Sequence, residues 1–182
     1  PIPALPPPES ACRLSFPLPY AQPPEKMQQS YAQEALAISE SEQDQKKRGA
    51  ALNALGKAHL GKMNHTKALV YLHKALSIYE RLASSSGSAE VMGNIGIFYI
   101  STGNPGNAME YFEKCKKLYT EINARKPLAN TLNSMGLALS NLDRNEEALA
   151  HLEEALRIAR EENEIKVIRS ATNNKGILLY KK

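Results

Sequence analysis

The sequence predicts an all-α fold of stacked helix pairs, preceded by a proline-rich segment that is not helical. Three observations carry that reading. Gly56, Gly96, Gly136 and Gly176 stand at a constant interval of forty residues. Around them, Leu52, Met92, Leu132 and Thr172 lie four residues before the glycine, and Leu55, Ile95, Met135 and Lys175 one before. Downstream come Ala68, Ala108 and Ala148, then Leu72, Phe112 and Leu152, then Ala75, Cys115 and Ala155. Steps of three and four keep side chains on one face of a helix, so each unit reads as two amphipathic helices joined by a turn.

In chain order, residues 1–24 hold nine of the eleven prolines, including Pro6-Pro7-Pro8. Proline fixes φ and removes amide donors, so this stretch reads as a tail or linker in loose polyproline II. Docking of residues 1–24 into a groove of the same or a neighbouring molecule is the competing expectation. The remainder, 25–182, reads as one solenoid. Tyr31, Ala35, Leu36 and Ile38 repeat Tyr71, Ala75, Leu76 and Ile78, which makes 25–44 the second helix of a partial repeat. Repeat one spans 47–83, repeat two 88–124, repeat three 128–163, and 166–181 is the first helix of repeat four. The run Ser84 to Ser88 is expected as a break between helices. Gly103-Asn104-Pro105-Gly106-Asn107 is the clearest turn, with Pro105 suited to opening the next helix. Glu153 and Arg157 are spaced for an i,i+4 pair. Lys175 sits in a column that is otherwise apolar, which calls for a charged partner or an exposed edge. Because the chain begins with Pro1 and its last helix lacks a partner, a piece of a longer protein is expected.

The motif Leu55-Gly56-x2-His59 with Ala68-x3-Leu72, and Ile95-Gly96-x2-Tyr99 with Ala108-x3-Phe112, resembles the tetratricopeptide repeat; Met135-Gly136-x2-Leu139 with Ala148-x3-Leu152 is a third copy. The resemblance covers residues ~25 to 182. It implies a right-handed α-α superhelix. The family's commonest period is ~34 residues, so the longer unit here is similar to the repeats of kinesin light chains and Pins-type scaffolds. The added residues are expected after the alanine, in a longer second helix. HEAT or armadillo repeats share a period near ~40 but do not require these glycine and alanine columns. Glycine opposite alanine is expected to let paired helices approach closely.

The resemblance also implies where a ligand would lie. In the family, the stripe three residues before the glycine and one and four after it (four after: Leu60, Ile100, Ser140 and Tyr180) faces a concave groove that holds peptides. Here that stripe carries Asn53, Gly93, Asn133 and Asn173, then Lys57, Ile97, Leu137 and Ile177, with Asn94 and Asn130 nearby. Asparagine is a poor helix former, so its recurrence asks for a reason. A ladder of amides would pair with the main chain of a bound peptide, and the apolar residues would receive its side chains. The competing reading is that these amides bond to neighbouring helices. Members that clamp a chaperone's C-terminal carboxylate have lysine three before and asparagine one after; Asn53 and Lys57 reverse that order, so such a clamp is not expected.

Other classes find little support. The net charge of +4, with 23 basic and 19 acidic residues, is too mild for a nucleic-acid footprint. No stretch approaches a bilayer span. Two cysteines, Cys12 and Cys115, suit a reducing, cytoplasmic setting rather than a disulfide framework, and Cys115 falls in a small-residue column. His59, His65, His73 and His151 lack metal-ligand spacing, and no phosphate loop or catalytic constellation is present, so neither cofactor nor catalysis is expected. The sequence therefore points to a non-enzymatic module that binds a peptide segment of a partner protein. The alternative is a regulatory or sensor arm of a larger enzyme or signalling protein.

Overall fold

The computed structural model describes residues 44–180 together with Ser30, Gln33, Glu34 and Ala37. Those four isolated positions are helical and exposed. The expected tail at 1–24, Cys12 and most of the partial repeat at 25–44 lie outside the described residues. Among the described residues, seven complete helices follow one another: α1 Gln45–Gly61, α2 His65–Arg81, α3 Ser85–Ser101, α4 Pro105–Glu121, α5 Arg125–Asn141, α6 Asn145–Glu161 and α7 Ile165–Tyr180. Each helix starts twenty residues after the one before it.

That regularity comes from one turn used six times. Its middle residue takes positive φ: Met63, Ala83, Gly103, Asn123, Asp143 and Asn163, with φ between 49° and 74°. The next residue then bonds back to the carbonyl five positions earlier, as in Asn64 N to His59 O at 2.9 Å and Asn104 N to Tyr99 O at 2.8 Å. This closes the orphan carbonyls of one helix. The same residue is the N-cap of the next helix, so three residues suffice between helices. Asn64 caps α2 through Lys67 N, Ser84 caps α3 through Gly87 N, and Asp44 caps α1 through Lys46 N and Lys47 N. Pro105 opens α4, where its missing N–H costs nothing.

Three features differ from the sequence expectation. Ser85–Ser88 is the first turn of α3 rather than a break, because Ser84 alone performs the capping. Arg125-Lys126-Pro127 lies inside α5, with the proline in the first turn, where it is tolerated. The added length is shared, since first and second helices of a pair are both 17 residues long.

The first helices of the pairs, α1, α3, α5 and α7, approach one another closely in sequence; among the described residues the backbones of the second helices, α2, α4 and α6, stay farther apart. A stack with one layer in contact and the other splayed is curved, and the contacting layer lies inside. The core is a continuous strip between the layers. Leu55, Leu72, Ile95, Phe112, Leu132, Met135, Leu139, Leu152 and Leu178 are among its fully buried residues.

The glycine column faces the large residue of the second helix rather than the alanine. A Cβ on Gly56 would stand 2.6 Å from Leu72, on Gly96 2.4 Å from the Phe112 ring, and on Gly136 2.6 Å from Leu152. The alanine contributes its backbone: the carbonyls of Ala68 and Ala148 lie 3.4 and 3.2 Å from the same Cβ positions. Gly176 meets nothing within 4 Å. A second crossing is built on Tyr79, whose buried ring lies against Gly87 of α3 and Gly49 of α1. At the surface, the Glu153–Arg157 pair is replaced: Lys175 donates to Glu153 at 2.7 Å, and Arg157 pairs with Glu161. Glu153 thus supplies the partner that Lys175 requires.

Candidate peptide-binding face

Because the glycine points at the second helix, the residue after it is turned about 100° away around the helix axis and leaves the interface. Lys57, Ile97, Leu137 and Ile177 occupy that position on the four inner helices, and all are exposed. The three apolar ones are 42%, 37% and 49% exposed respectively. Asn130 and Asn173 are exposed as well.

Asn53, Asn94 and Asn133 are not: they are 3%, 8% and 8% exposed. The expectation of a free amide ladder is corrected at these positions. Asn53 Nδ2 donates to Glu90 Oε1 at 2.9 Å, and Asn53 Oδ1 accepts from Asn94 Nδ2 at 2.7 Å. In the same way Asn133 Nδ2 donates to Ser170 Oγ at 3.2 Å and its Oδ1 accepts from Asn174 Nδ2 at 3.0 Å. A buried carboxamide needs both kinds of partner, and the adjacent inner helix supplies them. These amides tie α1 to α3 and α5 to α7. Glu90 and Ser170 were missed in the sequence, yet the signal was present: Asn94 and Asn174 follow Asn53 and Asn133 by forty-one residues each.

Two hollows interrupt the inner face. One of about 220 Å³ lies between α3 and α5 and is bordered by Lys57, Glu90, Gly93, Ile97, Asn130 and Ser134. A smaller one of about 70 Å³ lies between α5 and α7, beside Leu137, Ser140, Asn174 and Ile177. Both open beside the exposed row.

The groups with reactive potential are held elsewhere. Cys115 is fully buried, its thiol donates to the Ala89 carbonyl at 3.1 Å, and burial pushes its pKa up to about 12. A thiol held in that range is a poor nucleophile. His59 stacks on Tyr71 with ring centroids 5.4 Å apart, as its place in the aromatic column suggests. Burial holds its pKa below the usual value, helped by the charges of Lys67 and Lys62. His65 packs edge-on against Phe98. Among the described residues, no three His, Cys, Asp or Glu side chains gather as metal ligands would. No helix there is long and apolar enough to cross a membrane.

The geometry has counterparts among known proteins. A family profile described as tetratricopeptide repeat matches residues 47–121 and again 85–161. No curated protein sequence matches the chain. Among solved structures, BtubC (BKLC) from P. vanneervenii superposes with a TM-score of 0.72 at 19% identity, over 88% of this chain and 67% of that one. Aspartyl phosphate phosphatase F from Bacillus subtilis gives a TM-score of 0.76 at 15% identity, over 85% of this chain but 41% of the phosphatase. A kinesin light chain from Podosopora anserina with nearly identical TPR-like repeats gives 0.56 at 13% identity, covering 86% of this chain and 93% of that one. Such low identities speak to the fold alone, and the profile matches together cover more than half of the sequence. Forty-residue helix pairs, a glycine set against a large apolar residue at each crossing, and the profile matches agree on one assignment: the chain belongs to the tetratricopeptide repeat family.

Proposed function

We propose that the inner face binds an extended or helical peptide segment of a partner protein and that the chain acts as a scaffold without catalysing a reaction. Tetratricopeptide repeats build protein-interaction scaffolds, and one observation carries the finer reading for this chain. Ile97, Leu137 and Ile177 are apolar, exposed and in line, one on each successive inner helix. Isolated surface hydrophobes need no explanation, but an aligned row along a concave layer offers sites for successive apolar side chains of a ligand. Lys57 extends the row at one end, and the exposed amides of Asn130 and Asn173 flank it. In this reading Asn53, Asn94 and Asn133 fix the spacing of the inner helices instead of touching the peptide.

The test is to replace Ile97 and Leu137 with aspartate and to select binders from a random-peptide display library on both proteins. The wild type yields a family of peptides that the double variant fails to retain, while far-ultraviolet circular dichroism stays unchanged. Equal retention by a folded double variant removes the row from the binding site.

A second reading makes this solenoid an arm of a larger enzyme or signalling protein. It is favoured by the overlay of 85% of the chain on 41% of the phosphatase. Sequencing the transcript beyond the codon for Lys182 separates the two: a catalytic domain encoded in frame favours the arm.

A further inference from the structure

The inner helices are joined by a repeated side-chain motif that is broken at one place. Asn53 bridges Glu90 and Asn94, one turn apart on α3; Asn133 bridges Ser170 and Asn174, one turn apart on α7. At the interval between them, from α3 to α5, the corresponding positions hold Gly93, Asn130 and Ser134. Gly93 brings no carboxamide, and the hollow of about 220 Å³ lies there. A Cβ built on Gly93 meets nothing closer than Cys115 Sγ at 3.9 Å, so a side chain has room.

We propose that this hollow receives the side-chain carboxamide of an asparagine or glutamine in the bound peptide, a specificity that rests on the inner-face reading above. The ligand would supply the group that the chain supplies for itself on either side. Asn130 is exposed, and its amide has no partner among the described residues. Ser134 spends its hydroxyl on the Asn130 carbonyl at 3.1 Å within its own helix, a bond it can exchange for an incoming acceptor. An incoming carboxamide donates its NH2 to Asn130 Oδ1 and accepts from the Ser134 hydroxyl, which reproduces the donor and acceptor pattern of Asn133.

The walls disfavour other side chains. Glu90 and Lys57 both border the hollow and Glu90 already accepts from Asn53, so the wall's charges offset and a neutral group with both donor and acceptor suits it better than a charged one. An aliphatic side chain would cover the Asn130 amide without giving it a partner, and sites built on hydrogen bonds reject such analogues strongly. Ile97 stands at the rim, which puts the hollow within reach of a peptide lying on the exposed row.

The experiment selects a random-peptide display library against the full 182-residue chain and against Gly93→Asn and Asn130→Ala. Peptides retained by the wild type are expected to carry Asn or Gln at one aligned position, and both variants are expected to lose that preference. A selected synthetic peptide with that residue changed to leucine should bind the wild type about tenfold more weakly and Gly93→Asn without difference. Gly93→Asn should also raise the thermal midpoint, since it completes the third bridge. Peptides retained without a carboxamide preference, with Asp or Glu in its place, or with the preference intact in either variant overturn the proposed pocket alone. Failure to retain any peptide overturns the inner-face reading and this inference with it. Asn130→Ala lies on an exposed helix position and keeps the test decisive if Gly93→Asn does not fold.

Discussion

Asn133 and Asn173 stand forty residues apart in the same column, yet physics gives them different tasks. Asn133 is buried with both ends of its amide bonded across the helix boundary, whereas Asn173 is exposed. Replacing Asn133 with alanine leaves Asn174 and Ser170 without that partner and should cost about 1–3 kcal/mol. Asn173→Ala should stay within about 0.5 kcal/mol. Chemical denaturation of the two variants checks this; equal effects would mean that the bridge contributes nothing. A second residue-scale prediction concerns the turns. Four of the six positive-φ positions hold Gly, Asn or Asp, which tolerate that backbone, but Met63 and Ala83 do not belong to that group. Ala83→Gly should therefore raise stability by about 0.5–1 kcal/mol, visible as a higher thermal midpoint. Nothing in the structure explains why Met63 and Ala83 occupy their turns.

At the level of the helix, one column predicts two opposite outcomes. Gly96→Ala pushes a Cβ into the Phe112 ring, which is fully buried and has nowhere to go, and should cost about 1–3 kcal/mol. Gly176→Ala meets open space and gains helix propensity, so it should stabilise by up to about 1 kcal/mol. Thermal unfolding of the pair decides the matter, and a shared sign would contradict the packing described. The helix pairs themselves were legible because apolar spacing and the glycine period are written in the chain. What the glycine faces was not legible: a column of small residues on each helix says that backbones approach, but only the crossing geometry tells whether Leu72 or Ala68 fills the gap. The asparagines were half legible. Their recurrence signalled a shared task, but burial decides whether an amide turns to a ligand or to its neighbour, and burial depends on how closely the next helix sits. The even spacing of turns could have been read from Gly103, Asn123, Asp143 and Asn163, which fall at twenty-residue steps.

Across the whole molecule, each helix pair leans only on its neighbours, so stability should vary along the stack. Helix α7 packs against α5 and α6, and Ile177, Leu179 and Tyr180 remain exposed on it. Amide hydrogen exchange should be fastest in α7 and slowest in α3 to α5, which are covered on both sides. Uniform protection throughout would instead indicate a single cooperative unit. The interchangeable turn has a further consequence for how such an array can change length. Removing one helix with its turn, twenty residues, leaves every remaining connection sound. It nevertheless exchanges the roles of all helices downstream, so that Leu152 rather than Leu137 would belong to the layer that lines the trough. Only excisions in steps of forty keep the lining in phase, and a gene encoding this protein can therefore gain or lose pairs but not halves without turning its inner layer outward.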